Sequence, residues 1–413
     1  MGFVTIEQLV TRIHGTTTRF VLAVTGGGSR AIAELLQVPG ASRSVLEAVV
    51  PYSEPAMIDW LGGRPDQFCA EPTGRAMAMA AYLRACRLGA ARNEGATGGL
   101  SARVVAPTVE DALERSAAST AGRASSGTQS LAGVGCTASL ASDRPKRGAH
   151  RIHVAIQTAA TTVSRSVELV KGRRTRAEEE QVAARFVLNA VAEACDVEDH
   201  LDSGIAGGEH IDECRVTAPP SWQALLAGSV ETVRHGGAAR ESGEPPRAVF
   251  PGAFHPIHAG HRRMAAIARQ RLGVPIEFEI SVVNVDKPPL DFIEIQRRVG
   301  QFVPEQVVWL TRAPTFAEKS ARFPGVTFVV GVDTLRRIAD PRYHGGDPAA
   351  WLAAMERIAA RGCRFLVFGR EQEGRFVGLA DLNLPSPLSD LCREVPAEEF
   401  REDVSSTSLR KQG

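Results

Sequence analysis

Val249-Phe250-Pro251-Gly252-Ala253-Phe254-His255-Pro256-Ile257-His258-Ala259-Gly260-His261 reads as a short apolar strand, a glycine turn and the start of a helix. His258 and His261 stand three positions apart at that helix start, where free backbone N–H groups and the helix dipole favour an anion. Two imidazoles there can donate to phosphate oxygens. Gly260 lets the backbone come close to a nucleotide, and Gly252 and Phe254 belong to the same candidate nucleotide cradle.

Working outward, the chain alternates strand and helix after Arg247. Strands are expected at 248–250, 277–283, 307–310, 327–330 and 364–368, and helices at 262–272, 292–302 and 351–361. That alternation predicts a parallel, doubly wound α/β sheet over residues 246–413. Near the chain end, Val404-Ser405-Ser406-Thr407-Ser408-Leu409-Arg410 sets hydroxyls and N–H groups before a basic side chain. Ser405, Ser406 and Thr407 are candidate phosphate contacts and Arg410 a partner for their charge.

Taken together, the two stretches resemble the nucleotidyltransferase superfamily, whose G-x-F-x-P-x-H-x-G-H and I-S-S-T-x-x-R signatures occur here in order. Within it, Asn284-Val285-Asp286-Lys287-Pro288-Pro289-Leu290, Arg297-Arg298 and Val330-Gly331-Val332-Asp333-Thr334 are similar to the nicotinate or nicotinamide mononucleotide adenylyltransferases, over nearly all of 247–410. His255 stands where that pattern often has Asp or Asn. The resemblance implies in-line attack of a mononucleotide phosphate on ATP with release of pyrophosphate. It implies catalytic roles for His258, His261, Lys287 and Arg410, and nucleotide contacts from Gly331 and Asp333. Mg²⁺ would be held mainly by the triphosphate, with no metal site made by the protein. Three other readings stay open: cytidylyl or adenylyl transfer to another phosphorylated acceptor, a non-catalytic nucleotide sensor, and a bifunctional deamidase and adenylyltransferase.

The N-terminal half is organised differently. Phe20 to Val24 reads as a strand, Thr25-Gly26-Gly27-Gly28-Ser29 as a glycine turn, and Ala31 to Leu36 as a helix. Further elements are expected at 45–50, 73–88, 152–158 and 177–194, the last a helix with an acidic start. Residues 92–132 are rich in Gly, Ala, Ser and Thr and predict a flexible insertion, with a short helix near 109–115. Residues 198–245 predict a domain linker, with one helix option at 222–233.

Leu22 to Ser29, Val38 to Ser42, Pro51-Tyr52-Ser53 and Thr73 to Ala78 resemble the C-terminal domain of the CinA family, which includes nicotinamide mononucleotide deamidases, over about residues 18–197. That family's A-E-S-C-T-G-G, Y-S-N-x-x-K and G-I-A-G-P pieces are incomplete here. Ala23 or Val24 stands near the missing serine, Met57 at the lysine, and Gly135 to Ser139 only loosely at the third. Methionine can neither act as a base nor carry charge, so the amidase machinery reads as dismantled. The turn, with Thr25, Gly26, Gly27, Gly28, Ser29 and Tyr52, remains a second candidate pocket for a mononucleotide phosphate. His150 and His153, expected on one face of a strand, lack a third ligand nearby and predict a structural role.

The domain organisation expected is therefore 1–197, CinA-like; 198–245, linker; and 246–413, nucleotidyltransferase. With 413 residues, 48 Lys and Arg against 47 Asp and Glu, and a formal charge of +1, the chain advertises neither a nucleic-acid nor an anionic-membrane partner. Its seven cysteines form no C-x-x-C pair and predict reduced thiols. No basic leader precedes an apolar core, and no run of about 18 apolar residues occurs, so a cytoplasmic protein is expected. The partners expected are a mononucleotide and a nucleoside triphosphate, with self-association through the CinA-like part.

Overall fold

A computed structural model describes residues 3–94, 130–144, 146–237, 245–284, 287–344, 346–372 and 375–401. Contacts divide the chain into two compact units. The first is Met1–Val230 with Asp286–Ile295, and the second is Glu231–Val285 with Gln296–Gly413.

In order, the first unit contains α1 (Ile6–Gly15), β1 (Arg19–Thr25), α2 (Arg30–Gln37), α3 (Ala41–Ser44), β2 (Val45–Val49), α4 (Glu54–Leu61) and α5 (Glu71–Glu94). There follow β3 (Leu131–Ser139), β4 (His150–Thr158), β5 (Thr161–Leu169), α6 (Arg176–Ala194), β6 (Ile211–Thr217) and α7 (Pro220–Ala227). Its sheet runs β2-β1-β3-β4-β5-β6, parallel among the first three strands and antiparallel beyond. Glycines let α5 lie directly on this sheet. A Cβ at Gly133 would come 2.2 Å from the Ala78 carbonyl oxygen, and one at Gly135 would come 2.5 Å from that of Gly74. On the other face, Val182, Phe186, Val187 and Val191 of α6 join Leu22, Val24, Val134 and Ile152 in the main core. A capping box between Thr175 and Glu178 starts α6, which accounts for its acidic beginning.

The region expected to be a linker is largely structured. β6 pairs antiparallel with β5, and α7 buries Trp222, Leu225 and Leu226 before Gly228 ends it in the left-handed region at φ 78°. The helix option therefore stops at Ala227. An edge strand pairs on one side only, and most β6 side chains are exposed on both faces, so its sequence reads as loop. Residues 131 and 132, placed in the insertion, begin β3; residues 95–129, with the short helix expected at 109–115, lie outside the described residues.

Element order in the second unit is β7 (Thr232–His235), β8 (Ala248–Pro251), α8 (Ala259–Leu272), β9 (Glu277–Ser281), β10 (Val308–Thr311), α10 (Phe316–Arg322), β11 (Thr327–Gly331), α11 (Val332–Ala339), α12 (Pro348–Ala360), β12 (Arg364–Phe368), β13 (Arg370–Gln372), β14 (Arg375–Val377) and β15 (Cys392–Val395). Between β9 and β10, α9 (Phe292–Val299) begins in the 286–295 segment that belongs to the first unit. The main sheet runs β15-β12-β11-β8-β9-β10-β7, parallel throughout except for β7. From β8 the chain steps out through β9 to β10, then returns to the opposite side of β8 as β11 and moves on to β12 and β15. This is a doubly wound Rossmann-like sheet, and its direction reverses between β8 and β11. Val249, Phe328, Val330, Phe365 and Val367 pack against Leu335, Trp351 and Met355 in its core.

Candidate active site

In open parallel sheets, ligands sit outside the carboxyl ends of the strands where the winding reverses. Here β8 and β11 are hydrogen-bonded neighbours, and each runs straight into a helix: β8 through the histidine-bearing turn into α8, and β11 directly into α11. Two of the stretches singled out in the sequence therefore leave adjacent strands at the same edge.

His258 is the N-cap of α8, with an extended backbone, and its N–H donates to Nδ1 of His261 at 3.3 Å. Because His261 Nδ1 accepts, its neutral ring carries the proton on Nε2 and presents a donor there. The two rings stack, with centroids 3.7 Å apart. Burial, and secondarily the neighbouring His258, push the His261 pKa down to about 4, so this imidazole is neutral at pH 7. Gly260 is buried, and a Cβ there would lie 3.2 Å from the His258 ring.

Aromatic packing fixes the floor of the turn. Phe254 is 1% exposed, adopts a positive φ of 44°, and places its ring edge-on to Phe250, Phe278, Phe302 and, at 5.2 Å, His261. Gly252 leaves the room this ring needs, since a Cβ there would come 2.6 Å from it. Gln301 clamps the turn with both ends of its amide: Nε2 donates to the Phe254 carbonyl at 2.8 Å and Oε1 accepts from the Ile257 N–H at 2.9 Å. Sequence reasoning missed Gln301, which sits 44 residues from Ile257 and carries no local signature.

Gly331 is the N-cap of α11 and Asp333 lies in that helix's first turn. Asp333 is held by Arg370 and by Gln372 Nε2 at 2.8 Å, with Arg336 3.6 Å away. Lys287 is exposed and falls in the 286–295 segment that belongs to the first unit. Ser405, Ser406, Thr407 and Arg410 lie outside the described residues.

The turn in the first unit departs from its expected use. Glu180 of α6 accepts from the Gly28 N–H at 2.9 Å, the Arg30 N–H at 3.1 Å and the Ser29 hydroxyl at 3.2 Å. A carboxylate of the chain itself thus occupies the donors offered to a phosphate. Gly26 (φ 72°) is pressed against β3, where a Cβ would come 1.9 Å from the Ala138 carbonyl oxygen; one at Gly27 would meet the Leu140 side chain at 2.5 Å. The Thr25 hydroxyl donates to the Pro51 carbonyl at 3.0 Å, and Tyr52 is 70% exposed. Met57 and Ala23 are buried together with Leu61 and Met77 in an apolar cluster.

His150 and His153 do not share a face. Three positions on a strand of period two put side chains on opposite sides. His150 bonds Glu179 of α6 at 2.7 Å and His153 bonds Ser166 at 2.7 Å. The first unit also holds a polar network absent from the sequence reading. Arg75, 1% exposed, is paired with Glu71, Asp291 and Glu294, and the Phe292 N–H donates to Thr162 at 3.1 Å. Burial raises the Asp291 pKa although Arg75 opposes the shift.

Among the described residues, no helix is long and apolar enough to cross a membrane, and no group of three or more His, Cys, Asp or Glu is placed to hold a metal ion. No family model matches the chain. The second unit, with histidines at a helix start beside the winding reversal, has the architecture of a Rossmann-like nucleotidyltransferase. The chain is 30% identical over 179 residues to a "Probable nicotinate-nucleotide adenylyltransferase" of Gloeobacter violaceus, covering 40% of this chain and 82% of that protein. The chain belongs to the nicotinate-nucleotide adenylyltransferase family.

Proposed function

We propose that the second unit transfers the adenylyl group of ATP to nicotinate or nicotinamide mononucleotide, with nicotinate mononucleotide the first acceptor to try because the relative's name specifies nicotinate. The observation that carries this reading is the strand order, which puts the His258–His261 turn and the Asp333 turn on adjacent strands at the winding reversal. A phosphate oxygen of the mononucleotide attacks the α-phosphorus of ATP. The new P–O bond forms as the bond to the β-phosphate oxygen breaks, and pyrophosphate leaves with that electron pair. No covalent nucleophile is needed, because positioning and charge stabilisation supply the rate.

In this reading the α8 N-terminus and the Nε2–H of His261 stabilise charge on the triphosphate, His258 contributes a second imidazole, and Asp333 accepts hydrogen bonds from the nucleotide. Lys287, Ser405, Ser406, Thr407 and Arg410 would complete the phosphate contacts. The donors at the turn are N–H groups and imidazoles, which suit phosphate oxygens and are poor ligands for a hard cation. Mg²⁺ carried on the triphosphate fits such a set, and when bound it neutralises charge on the phosphate oxygens. For the first unit we propose a CinA-like domain without amidase machinery, a reading supported by Met57 and Ala23 lying in an apolar cluster.

The test is pyrophosphate release by the full chain with Mg²⁺, a panel of ATP, CTP and GTP, and nicotinate or nicotinamide mononucleotide. Release that requires ATP and a pyridine mononucleotide is the expected result. Release with CTP instead would redirect the acceptor search, and triphosphate binding without turnover would replace the enzyme by a sensor.

A further inference from the structure

A two-stranded hairpin grows from the end of β12, its strands β13 and β14 paired from Arg370↔Val377 to Gln372↔Arg375. Its seat is specific: a Cβ at Gly369 would come 2.2 Å from the Phe376 ring, and Val377 is buried. Arg370 and Gln372, two positions apart, share one face of β13. That face meets Asp333. Arg370 binds one carboxylate oxygen, and Gln372 Nε2 donates to the other at 2.8 Å. The orientation of the Gln372 amide is fixed in turn, because its Oε1 accepts from Arg336 at 2.9 Å.

Asp333 and Arg370 keep 44% and 37% of their side-chain surface exposed. Ion pairs that open to water contribute little to folding. What the cluster does provide is orientation: each carboxylate oxygen is held by its own partner, while part of the side chain stays open to solvent. A fixed acceptor beside the winding reversal suits a donor on a nucleotide, a ribose hydroxyl or an amino group. Arg370 also offsets a negative charge that would otherwise repel a polyphosphate.

We propose that Arg370 and Gln372 are positioning residues that set Asp333 for the nucleoside triphosphate, making the β13–β14 hairpin a determinant of triphosphate affinity. The inference rests on the role given to Asp333 above. The experiment compares wild type, Asp333→Asn, Arg370→Met, Arg370→Lys, Gln372→Leu and the Asp333→Asn/Arg370→Met double variant, reading KM and kcat for ATP, KM for the mononucleotide, and thermal midpoint.

Expected are a rise of about tenfold in KM for ATP in Arg370→Met, a smaller rise in Gln372→Leu, and partial recovery in Arg370→Lys. Values of kcat, acceptor KM and thermal midpoint should stay near wild type. The double variant should be no worse than Asp333→Asn alone, because the two residues act through one contact. If Asp333→Asn weakens ATP use while Arg370→Met and Gln372→Leu do not, the hairpin proposal is overturned and the role of Asp333 stands. If Asp333→Asn changes nothing, the role of Asp333 itself fails, and the hairpin proposal with it. Should turnover be absent, ATP affinity by calorimetry reads the same comparison, and failure of the wild type to bind ATP overturns the proposal.

Discussion

The chain contains two strand–glycine–helix turns that look alike and are used differently. At Thr25–Ser29 the helix N-terminus is closed from within: Glu180 takes the Gly28 and Arg30 N–H groups, and the glycines press against Ala138 and Leu140. At Pro251–His261 the turn is built around Phe254 and Gln301, and it brings His258 and a neutral His261 to the start of α8. A glycine-rich turn supplies donors, and a residue about 150 positions away decides what occupies them. The local pattern is therefore only half of the site.

The sharpest way to break this contrast is at the second turn. In His258→Ala/His261→Ala, adenylyl transfer should fall by on the order of 10²- to 10³-fold, as expected when donors to developing charge are removed. The same paired substitution at His150 and His153, which serve structural hydrogen bonds on opposite faces of β4, should spare the specific activity of the soluble protein. Pyrophosphate release measured beside circular dichroism checks both. Equal losses from the two pairs would mean that the His258–His261 effect is a folding effect.

Next in size is Met57→Lys, which restores the residue type of the deamidase pattern beside the first turn. Met57 is 2% exposed among Ala23, Leu61 and Met77, so an ammonium there would be buried without a partner. A loss of roughly 3–5 kcal/mol in chemical denaturation is expected, with no ammonia released from nicotinamide mononucleotide. Near-wild-type stability together with deamidation would show that the site is one substitution from working, and the contrast between the two turns would narrow.

These outcomes bear on what a sequence can disclose. Strands β8 to β12 of the second unit were legible because they are short apolar runs alternating with helices, a pattern that parallel sheets impose locally, whereas the edge strands β7 and β15 were not. β5 and β6 were not, since β5 places Thr162 and Ser164 among its inward-facing positions and β6 is an edge strand with mostly exposed side chains. In the same way the two histidines announced themselves by spacing. Gln301, Glu180, Arg370 and Arg75 act across 37 to 216 residues of sequence, and nothing near them in the chain marks the contact.

A smaller effect is expected from opening the first turn. Glu180→Ala removes charge-assisted bonds to two N–H groups and a hydroxyl, and should cost about 1.5–3 kcal/mol. If Glu180 stands in for a phosphate, inorganic phosphate at millimolar concentration should return part of that stability to the variant and none to the wild type. Urea midpoints with and without phosphate decide this. An unchanged midpoint in Glu180→Ala would show that the carboxylate contributes nothing, and the turn would then be closed by Ala138 and Leu140 alone.

The finest distinction between the turns is their response to pH. Native His261 binds a proton only near pH 4, whereas in the unfolded chain it does so near the ordinary 6.5. Between these values the unfolded state holds more protons, so the contribution of His261 to stability is full above about pH 6.5 and is lost as the pH falls toward 4. Burial lowers the pKa of His14 and His153 as well, which adds loss of the same sign below pH 6.5. Replacing His261 by Gln should therefore flatten, without abolishing, the fall in urea midpoint between pH 7 and 5. A bound triphosphate reverses the local charge and favours the protonated ring, so ATP affinity should rise modestly over that range in the wild type and hold level in His261→Gln. Parallel pH profiles for the two proteins would remove His261 from contact with the phosphates and leave the α8 N-terminus as the anion site.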